Sequence, residues 1–416
     1  MTPQALIDDM AALARAASRV LSGTATAQKA AGLRAAAAKL RLSSDAIIAA
    51  NATDLTAAKA SGMAPAMVDR LTVDSVRIEA IAAAVDAIAA LPDPVGAVIN
   101  LSERPNGLKL SRIRVPLGVI GIIYESRPNV TADAGMLCVM SGNAAILRGG
   151  SEAVHTNRAI YDALVAGLEA EGLPADAIQL VPTTDRAVVG AMLAAHGKID
   201  VIIPRGGKTL VARVQADARV PVLAHLDGIN HTYVDAAADP EKARAIAVNA
   251  KMRRPGVCGA METLLIDRAF GDAAAIVGAL ANSGCELRGD IATQALDARV
   301  KPASADDWDT EYLEPVCAVK IVDGLDGALA HIAAHASHHT DAIVTEDAAT
   351  AEAFLSAVDS AIVMWNASSQ FADGGEFGLG AEIGIATGRL HARGPVALEG
   401  LTTYKWLVRG TGQVRP

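Results

Sequence analysis

Short apolar strands alternate with helices over residues 118–223, and this alternation constrains the fold more than any other feature of the sequence. The pattern predicts strands at 118–124, 144–148, 178–181, 201–203 and 220–223, with helices at 130–141, 152–171, 185–196 and 207–216. Strands and helices that alternate at this spacing form a doubly wound parallel sheet. Because such sheets bind ligands at the carboxyl ends of their strands, we expect binding residues to follow the strands of this region.

A second α/β region follows the first. Its alternation predicts strands at 230–235, 261–267, 316–322, 342–345 and 361–365, with helices at 240–252, 271–284, 324–336 and 347–357. Residues 1–92 are rich in alanine and repeat apolar residues at three- and four-residue spacing, which predicts packed helices. Apolar and basic residues alternate over 108–115, which predicts a partly exposed ribbon, and a further strand is expected at 402–408. The predicted fold class is α/β.

Composition excludes several classes of function. The 416 residues suffice for two or three domains, and the net charge of −9 argues against a nucleic-acid partner. Four cysteines are too few for a disulfide scaffold and fit a reducing cytoplasm. The N-terminus is acidic where a signal peptide would be basic, and no apolar run reaches the length of a membrane span. We therefore expect a cytoplasmic enzyme with no membrane partner.

Cys258 is the first candidate for chemistry. It stands in the run KMRRPGVCGA at 251–260, where two arginines and a Pro-Gly step precede the thiol. Nearby positive charge favours the thiolate, which is the nucleophilic form. Gly256, Gly259 and Ala260 leave room for a substrate. Most free cysteines are instead small buried apolar residues, so both interpretations stay open on these residues alone.

Two strands of the first region end in Arg-Gly-Gly, at 148–150 and at 205–207. A glycine-rich turn at the start of a helix exposes backbone N–H groups to a phosphate. The second turn continues as Gly-Lys-Thr, but the P-loop motif would require glycine where Ile202 stands. Together the two turns favour a cofactor that carries phosphate.

Four histidines lie close together at 331, 335, 338 and 339. His331 and His335 share one face of the predicted helix, as zinc ligands do. The zincin motif requires glutamate after the first histidine, and Ile332 stands there instead. We therefore predict no metal site, and interpret the cluster as a polar helix end with hydrogen-bonded imidazoles.

Several longer stretches carry a family resemblance. They are PLGVIGIIYESRPN at 116–129, PRGGK at 204–208, RPGVC at 254–258, SHHTD at 337–341, FGLGAEIG at 377–384, HARGP at 391–395 and LTTYK at 401–405. With these stretches the chain resembles the aldehyde dehydrogenase superfamily, in particular its branch that reduces an acyl phosphate. The resemblance extends over nearly the whole chain.

The resemblance implies three parts and one reaction. The parts are an NADP-binding domain at 1–102 and 117–226, a catalytic domain at 227–395, and an oligomerisation element at 103–116 and 396–416. The implied reaction is the NADPH-dependent reduction of L-glutamyl 5-phosphate to L-glutamate 5-semialdehyde and phosphate through a cysteine thioester, the second step of proline biosynthesis from glutamate. A homo-oligomer, either a dimer or a tetramer, and an association with glutamate 5-kinase are further expectations.

The resemblance also assigns roles to residues. Cys258 would be the nucleophile, and its backbone N–H, with Ser126 or Asn129, would stabilise the oxyanion. The residues expected at the cofactor are Arg148, Gly149, Arg205, Gly206, Gly207, Lys208, His225 and Glu311. Those expected at the substrate are Arg127, Arg254, Ser368 and Ser369.

Two other functions stay open at this point. The first is a hydrolytic, NAD-dependent aldehyde dehydrogenase, in which a Glu-Leu-Gly-Gly run supplies the base for thioester hydrolysis. The corresponding run here is HLDG at 225–228, and His225 in place of that glutamate favours a thioester that meets hydride or phosphate rather than water. The second is a catalytically inactive paralogue that serves as a scaffold. An intact Cys258 and both Gly-Gly turns argue against it.

Overall fold

The computed structural model describes residues 1–415 and shows two compact units. The first unit comprises Met1–Ala224, Gly378–Gly384 and the C-terminal segment from Val396, and the second comprises His225–Phe377 and Ile385–Pro395. The division after Ala224 lies two residues before the domain boundary expected from the sequence. The short segment Gly378–Gly384 was expected in the catalytic domain and belongs to the first unit instead.

Helices and strands alternate through most of the chain. The helices are α1 (Pro3–Leu21), α2 (Thr26–Leu42), α3 (Ser44–Ala60), α4 (Pro65–Leu71), α5 (Ser75–Ala90), α6 (Asn129–Met140), α7 (Val154–Ala170), α8 (Ala187–Ala194), α9 (Lys208–Asp217), α10 (Pro240–Met252), α11 (Ala273–Asn282), α12 (Ile291–Gln294), α13 (Gly324–His335) and α14 (Ala348–Ala357). The strands are β1 (Val98–Glu103), β2 (Lys109–Pro116), β3 (Val119–Tyr124), β4 (Ala144–Arg148), β5 (Ile178–Leu180), β6 (Val201–Arg205), β7 (Asn230–Val234), β8 (Met261–Asp267), β9 (Glu286–Gly289), β10 (Lys301–Pro302), β11 (Val316–Val322), β12 (Thr340–Val344), β13 (Ile362–Trp365), β14 (Ile385–Ala386), β15 (Gly394–Pro395) and β16 (Thr402–Arg409). Within residues 1–415, none of the helices has the length and the apolar character that crossing a bilayer requires.

The first unit contains the predicted parallel sheet, with strand order β5-β4-β3-β6. Its central strand β3 is buried along its whole length, as a strand covered on both faces must be. The prediction of a further strand at 220–223 is wrong, because that segment makes a single bridge, between Ile202 and Val222. Pro221 has no N–H group to donate, so a regular ladder cannot form there.

A separate three-stranded antiparallel sheet, ordered β1-β2-β16, also belongs to the first unit. The pairing of β16 with β2 runs from Thr402 opposite Pro116 to Arg409 opposite Lys109. This confirms the prediction of an extended ribbon and of a strand near the C-terminus. Trp406 remains 52 % exposed on this sheet, so a large apolar area faces outward.

The second unit contains a parallel sheet of seven strands, ordered β10-β9-β11-β8-β7-β12-β13. Residues of α10 and α11 pack with the strands in one core cluster, and residues of α13 and α14 pack with them in another. This is the doubly wound arrangement that the alternation predicts. The short strands β9 and β10 were not predicted, since runs of four and two residues carry little periodicity.

The order of the strands in the second sheet determines where the candidate site lies. β11, β8, β7 and β12 are consecutive neighbours and run parallel. The segments that enter these strands therefore meet at the amino-terminal edge of the sheet. One of those segments is the turn at 253–260, which carries Cys258 into β8.

Candidate active site

Cys258 lies in a turn between α10 and β8. Helix α10 begins where the Asp239 carboxylate accepts the N–H of Lys242 at 2.8 Å, and Pro240 occupies its first turn. The helix ends at Met252, and Pro255 follows within the turn. The side chain of Cys258 is half-buried at this point.

The backbone of the Cys258 turn is held by Asn230, the first residue of β7. The side-chain amide of Asn230 donates to the carbonyl oxygens of Cys258 at 2.6 Å and Ala260 at 2.8 Å. Its oxygen accepts the N–H of Thr340, the first residue of β12, at 3.1 Å. One buried amide therefore ties together the entries of three neighbouring strands and fixes where the thiol stands.

Gly228 lies directly against the same backbone. A Cβ atom at this position would overlap the carbonyl oxygen of Cys258 and would stand 3.0 Å from its Cα atom. Glycine is therefore required by the close approach of two chain segments. The N–H of Gly228 donates to Oε1 of Glu311 at 3.0 Å, so this carboxylate, expected at the cofactor, lies next to the Cys258 turn.

Cys258 differs from the other cysteines in its exposure. Cys138, Cys285 and Cys317 are buried, and burial raises the pKa of the Cys285 thiol to about 12. Burial likewise raises the pKa of Cys138 and of Cys317. These three thiols remain protonated and inaccessible near neutral pH, so Cys258 is the cysteine that a substrate can reach.

The three basic residues near Cys258 differ in their burial. Lys251 is fully buried and its Nζ atom lies 2.5 Å from Oε2 of Glu262, so its charge is opposed by a carboxylate rather than directed at the thiol. Burial raises the pKa of Glu262 to about 7, against the lowering effect of Lys251. Arg253 and Arg254, the other two cations of this run, are exposed.

Two imidazoles lie beside Cys258. The rings of His225 and His339 meet edge to face, with centroids 5.0 Å apart. One ligand atom from each of His225, Cys258 and His339 lies within 4.8 Å of the other two. Burial, and then the neighbouring His225, lowers the pKa of His339 to about 3, so this imidazole is neutral.

The residues expected at the substrate partly meet at this site. Ser369 is fully buried and adjoins the Cys258 turn, because a Cβ atom at Gly259 would stand 3.1 Å from the Ser369 carbonyl oxygen. The hydroxyl oxygen of Ser369 is buried and has no hydrogen-bond partner among residues 1–415. Ser368 is also buried, and its hydroxyl accepts the N–H of Gln370 at 3.3 Å. Arg254, by contrast, is exposed.

The residues expected at the oxyanion in the first unit are already engaged by carboxylates. Ser126 has a positive φ of 45°, and both its N–H, at 2.5 Å, and its hydroxyl, at 2.9 Å, donate to Oε1 of Glu152. Asn129 is exposed and donates to Asp133 at 2.8 Å. Burial raises the pKa of Asp133 to about 6. Arg127, expected at the substrate, is half-buried in the same loop.

The first Arg-Gly-Gly turn follows β4 and is tightly packed. Arg148 donates to the carbonyl oxygens of Gly149 at 2.8 Å and Thr184 at 3.0 Å, and its Nε atom is buried without a partner within the described residues. Burial lowers the pKa of Arg148. A Cβ atom at Gly149 would stand 3.1 Å from the hydroxyl of Tyr124. The turn therefore places a partly unsatisfied guanidinium at the carboxyl end of the sheet.

The second Arg-Gly-Gly turn joins β6 to α9. Gly206, Gly207 and Lys208 are exposed, as a phosphate-binding helix start requires. The N–H of Gly207, however, donates to Oε2 of Glu125 at 3.2 Å. A phosphate bound at this amide would replace the Glu125 carboxylate. Arg205 is half-buried at the end of β6.

The histidine cluster expected from the sequence divides into two environments. His331 packs against His335 with ring centroids 4.5 Å apart and against Trp308 at 5.3 Å, and burial lowers its pKa to about 2. His339 instead precedes β12 and joins His225 and Cys258. His338 is exposed between them, with a positive φ of 59°.

Sequence reasoning missed Asn230 and the position of His339 beside the nucleophile. Both residues stand at the start of a predicted strand, Asn230 at β7 and His339 directly before β12. That position was the available signal, since segments entering neighbouring parallel strands meet at one edge of the sheet. The expectation that binding residues follow the strands instead predicted the opposite, carboxyl-terminal edge.

Comparisons with known proteins show the family to which the chain belongs. The model of the aldehyde dehydrogenase family matches residues 2–289. A gamma-glutamyl phosphate reductase of Rhizorhabdus wittichii is 70 % identical over 412 residues, which cover 99 % of this chain and 96 % of that protein.

Solved structures show the same similarity. The crystal structure of gamma-glutamyl phosphate reductase from Thermotoga maritima superposes with a TM-score of 0.96 at 41 % identity, covering 99 % of this chain and 100 % of that one. An engineered glycolyl-CoA reductase with bound NADP+ superposes with a TM-score of 0.69 at 16 % identity, covering 97 % and 96 % of the two chains, and shows a shared fold alone.

Proposed function

Since the chain belongs to the aldehyde dehydrogenase family and, within it, to the gamma-glutamyl phosphate reductases, we propose the following roles for its residues in that reaction. The enzyme reduces L-glutamyl 5-phosphate to L-glutamate 5-semialdehyde and phosphate, the second step of proline biosynthesis from glutamate. The observation that carries the assignment of residues is the half-buried Cys258, fixed by Asn230 and Gly228 beside two imidazoles.

Cys258 begins the reaction as the nucleophile. Its thiolate attacks the acyl carbon of the substrate, a C–S bond forms, and the bond from that carbon to the phosphate oxygen breaks. Phosphate leaves with the electron pair of that bond, and the glutamyl group remains on Cys258 as a thioester. We assign the Cys258 backbone N–H as the first donor to the oxyanion, because the Asn230 contact fixes the backbone of this residue.

The reduction step requires a hydride donor and a leaving thiolate. When bound, a nicotinamide cofactor supplies the hydride that brings the thioester carbon to the level of the aldehyde. The C–S bond then breaks, the aldehyde is released, and Cys258 leaves as the thiolate with which it started. Ser126 and Asn129 stay predictions for the oxyanion, since their donors are bound to Glu152 and Asp133.

The first unit fits such a cofactor. Gly206 and Gly207 expose the start of α9 after a parallel strand, and Arg148 retains a buried Nε atom without a partner in the described chain. Phosphates are the groups that such helix starts and guanidinium groups bind. We propose that Arg148 and Arg205 select the 2′-phosphate of NADPH over NADH, with Lys208 near the pyrophosphate. Gly149 lets the turn pack closely against Asn157 and Tyr124, and Glu311 would hold the nicotinamide ribose.

The fate of the thioester follows from His225. Nδ1 of His225 donates to the carbonyl oxygen of Ile385 at 2.8 Å, because a carbonyl can only accept. From its place in the run HLDG at 225–228, this imidazole would stand where a hydrolytic aldehyde dehydrogenase has its catalytic glutamate. We propose that the thioester therefore reacts with hydride or phosphate rather than with water. In this proposal the half-buried His225 lies near the cofactor and does not act as a base.

The glutamyl end of the substrate needs polar partners. The buried, unpartnered hydroxyl of Ser369 supports a role in binding, with Ser368 beside it. Arg254 and Arg127 are the cations we propose for the substrate carboxylate. For the assembly, the exposed apolar area of β1 and β16 supports a homo-oligomer, a dimer or a tetramer. An association with glutamate 5-kinase and a cytoplasmic location stay predictions.

The test is the reverse reaction, NADP reduction with L-glutamate 5-semialdehyde, measured with and without phosphate. The wild-type enzyme is expected to require phosphate, and Cys258→Ala to be inactive. Cys285→Ala, which removes a buried thiol of the same unit, is the control and should remain active. Reduction of NADP without phosphate, with glutamate as the product, would overturn the assignment of His225. Activity in Cys258→Ala would overturn the nucleophile.

A further inference from the structure

Cys258, His225 and His339 present three metal-ligating atoms to one point in the second unit. Their ligand atoms all lie within 4.8 Å of one another. A tetrahedral zinc ion, with Zn–S of about 2.3 Å and Zn–N of about 2.0–2.1 Å, separates its ligand atoms by about 3.3–3.6 Å. Side-chain rotations that move each ligand atom by about 1 Å would therefore bring the three atoms to metal-binding distances.

His339 is the residue that most strongly indicates a binding site in this cluster. Its exposed fraction is 0 %, and its Nε2 atom is buried with no hydrogen-bond partner within residues 1–415. Nδ1 is satisfied by the hydroxyl of Thr340 at 2.9 Å. Buried polar atoms in proteins almost always have a partner, so an unpartnered imidazole nitrogen calls for a ligand. Burial also keeps this imidazole neutral, which is the form that binds metals.

His225 is oriented in the way that metal ligands usually are. Its Nδ1–H donates to the Ile385 carbonyl oxygen at 2.8 Å, which fixes the tautomer with the lone pair on Nε2. Histidine ligands of metals commonly make this hydrogen bond from their second nitrogen to a backbone carbonyl or a carboxylate. The ring therefore needs no change of tautomer to coordinate a cation.

We propose that Cys258, His225 and His339 form a three-ligand site for a thiophilic divalent cation such as Zn²⁺, and that its occupancy withdraws the thiolate from the substrate. On binding, the thiolate sulfur of Cys258 forms a bond to the metal and displaces one water molecule of the hydrated cation. Water completes the tetrahedron. One thiolate and two imidazoles select Zn²⁺ or Co²⁺ over Mg²⁺ and Ca²⁺, which prefer oxygen ligands.

The inhibitory half of this proposal rests on Cys258 being the nucleophile, whereas the binding half does not. The binding half is tested first, with chelator-treated full-length protein titrated with Co²⁺ and followed by its thiolate-to-cobalt charge-transfer absorption. One equivalent should produce the band and be displaced by Zn²⁺. Mg²⁺ should neither produce nor displace it.

Variants assign the ligands. Cys258→Ser should lose the charge-transfer band, and His225→Gln and His339→Gln should each weaken Co²⁺ binding by at least tenfold. His338→Gln alters the exposed neighbour of His339 and should bind Co²⁺ as the wild type does. Circular dichroism of each variant distinguishes loss of a ligand from loss of the fold.

The experimental outcomes distinguish the metal-binding half of the proposal from its inhibitory half. A band that is absent from the folded wild type, or unchanged in both His225→Gln and His339→Gln, overturns the site. Inhibition is tested with Zn²⁺ in the NADP reduction assay, where the wild type should lose activity at the concentration that displaces Co²⁺ and recover it with a chelator. If Co²⁺ binds as expected while Cys258→Ala retains activity, the metal site stands and the proposed nucleophile fails.

Discussion

The side-chain amide of Asn230 donates to the carbonyl oxygen of Cys258 at 2.6 Å, and this contact joins the first residue of β7 to the proposed nucleophile, which precedes β8. The same amide also binds Ala260, and its oxygen accepts from Thr340. Three buried backbone groups thus depend on one side chain. The position of the thiol is set by the sheet rather than by the flexible part of the turn.

Replacing Asn230 should lower turnover more than it lowers substrate affinity. Asn230→Ala leaves two buried carbonyl oxygens and one N–H without their partner, which should cost about 1–3 kcal/mol of stability. The displaced Cys258 should lower kcat by about 10–100-fold, since misplacement by an ångström costs rates of that order. The rate at which iodoacetamide alkylates Cys258 should change in parallel. Asn282→Ala, at an exposed site bound to Arg299, is the control. Wild-type turnover in Asn230→Ala would contradict the role.

A methyl group at position 228 should inactivate the enzyme. Gly228→Ala places Cβ against the Cys258 carbonyl, so one of the two segments must move, at a cost of about 1–3 kcal/mol. We expect loss of activity with the fold retained, measured by turnover and thermal unfolding. Gly271→Ala is the matched control, because a Cβ atom there meets nothing within 4 Å. Equal activity of the two variants would show that the close approach is unimportant.

Glu262 should make stability depend on pH. Its pKa rises from an ordinary value of 4.5 to about 7 in the folded protein because it is buried. The folded state therefore binds this proton more tightly than the unfolded state, and the stabilisation is fully present below pH 4.5 and is lost as pH rises through 7. Between these limits the free energy of unfolding should fall by roughly 3 kcal/mol more in the wild type than in Glu262→Gln. Urea unfolding across this range measures the difference.

The control for that experiment is Glu346→Gln, which removes an exposed carboxylate beside Lys242. It should follow the wild-type dependence on pH. An identical slope for the wild type and Glu262→Gln would mean that Lys251 keeps Glu262 ionised throughout.

Ser369 should affect substrate binding and leave stability unchanged. Its hydroxyl is buried and unpartnered within residues 1–415, so Ser369→Ala removes no internal hydrogen bond. KM for glutamate 5-semialdehyde should rise by about tenfold, the value of one lost neutral hydrogen bond, with little change in thermal stability. Ser356→Ala, at an exposed position of the same unit, should match the wild type. An unchanged KM in Ser369→Ala would remove this residue from the site.

Arg148 should set the preference between cofactors. Arg148→Gln should lower kcat/KM for NADP by about tenfold or more and leave kcat/KM for NAD nearly unchanged, since a charge-assisted hydrogen bond to phosphate is worth about 1.5–3 kcal/mol. Arg213→Gln, which removes an exposed arginine paired with Asp217, is the control. Equal losses with both cofactors would place Arg148 in the fold rather than at the 2′-phosphate.

Much of the fold could be predicted because periodicity is a local property. The limits of β8 and β11 coincide with the predicted strands 261–267 and 316–322, since long apolar runs bounded by turns have one conformation that buries them. Segments shaped by single residues were harder to predict. Pro221 reduced a predicted strand to one bridge, and the short strands β9 and β10 pair only because longer neighbours adjoin them.

The sequence by itself determined the α/β alternation and the family, and it predicted Cys258 as the nucleophile, because each rests on consecutive residues. Only the tertiary structure decided that His339 lies with His225 and Cys258 while His331 packs against Trp308, and that the charge of Lys251 is bound by Glu262. The physical reason is the strand order β11-β8-β7-β12, which brings loops distant in sequence to one edge of the sheet. Local periodicity fixes each strand but not its neighbour, so the partners of Cys258 emerge only when the sheet forms.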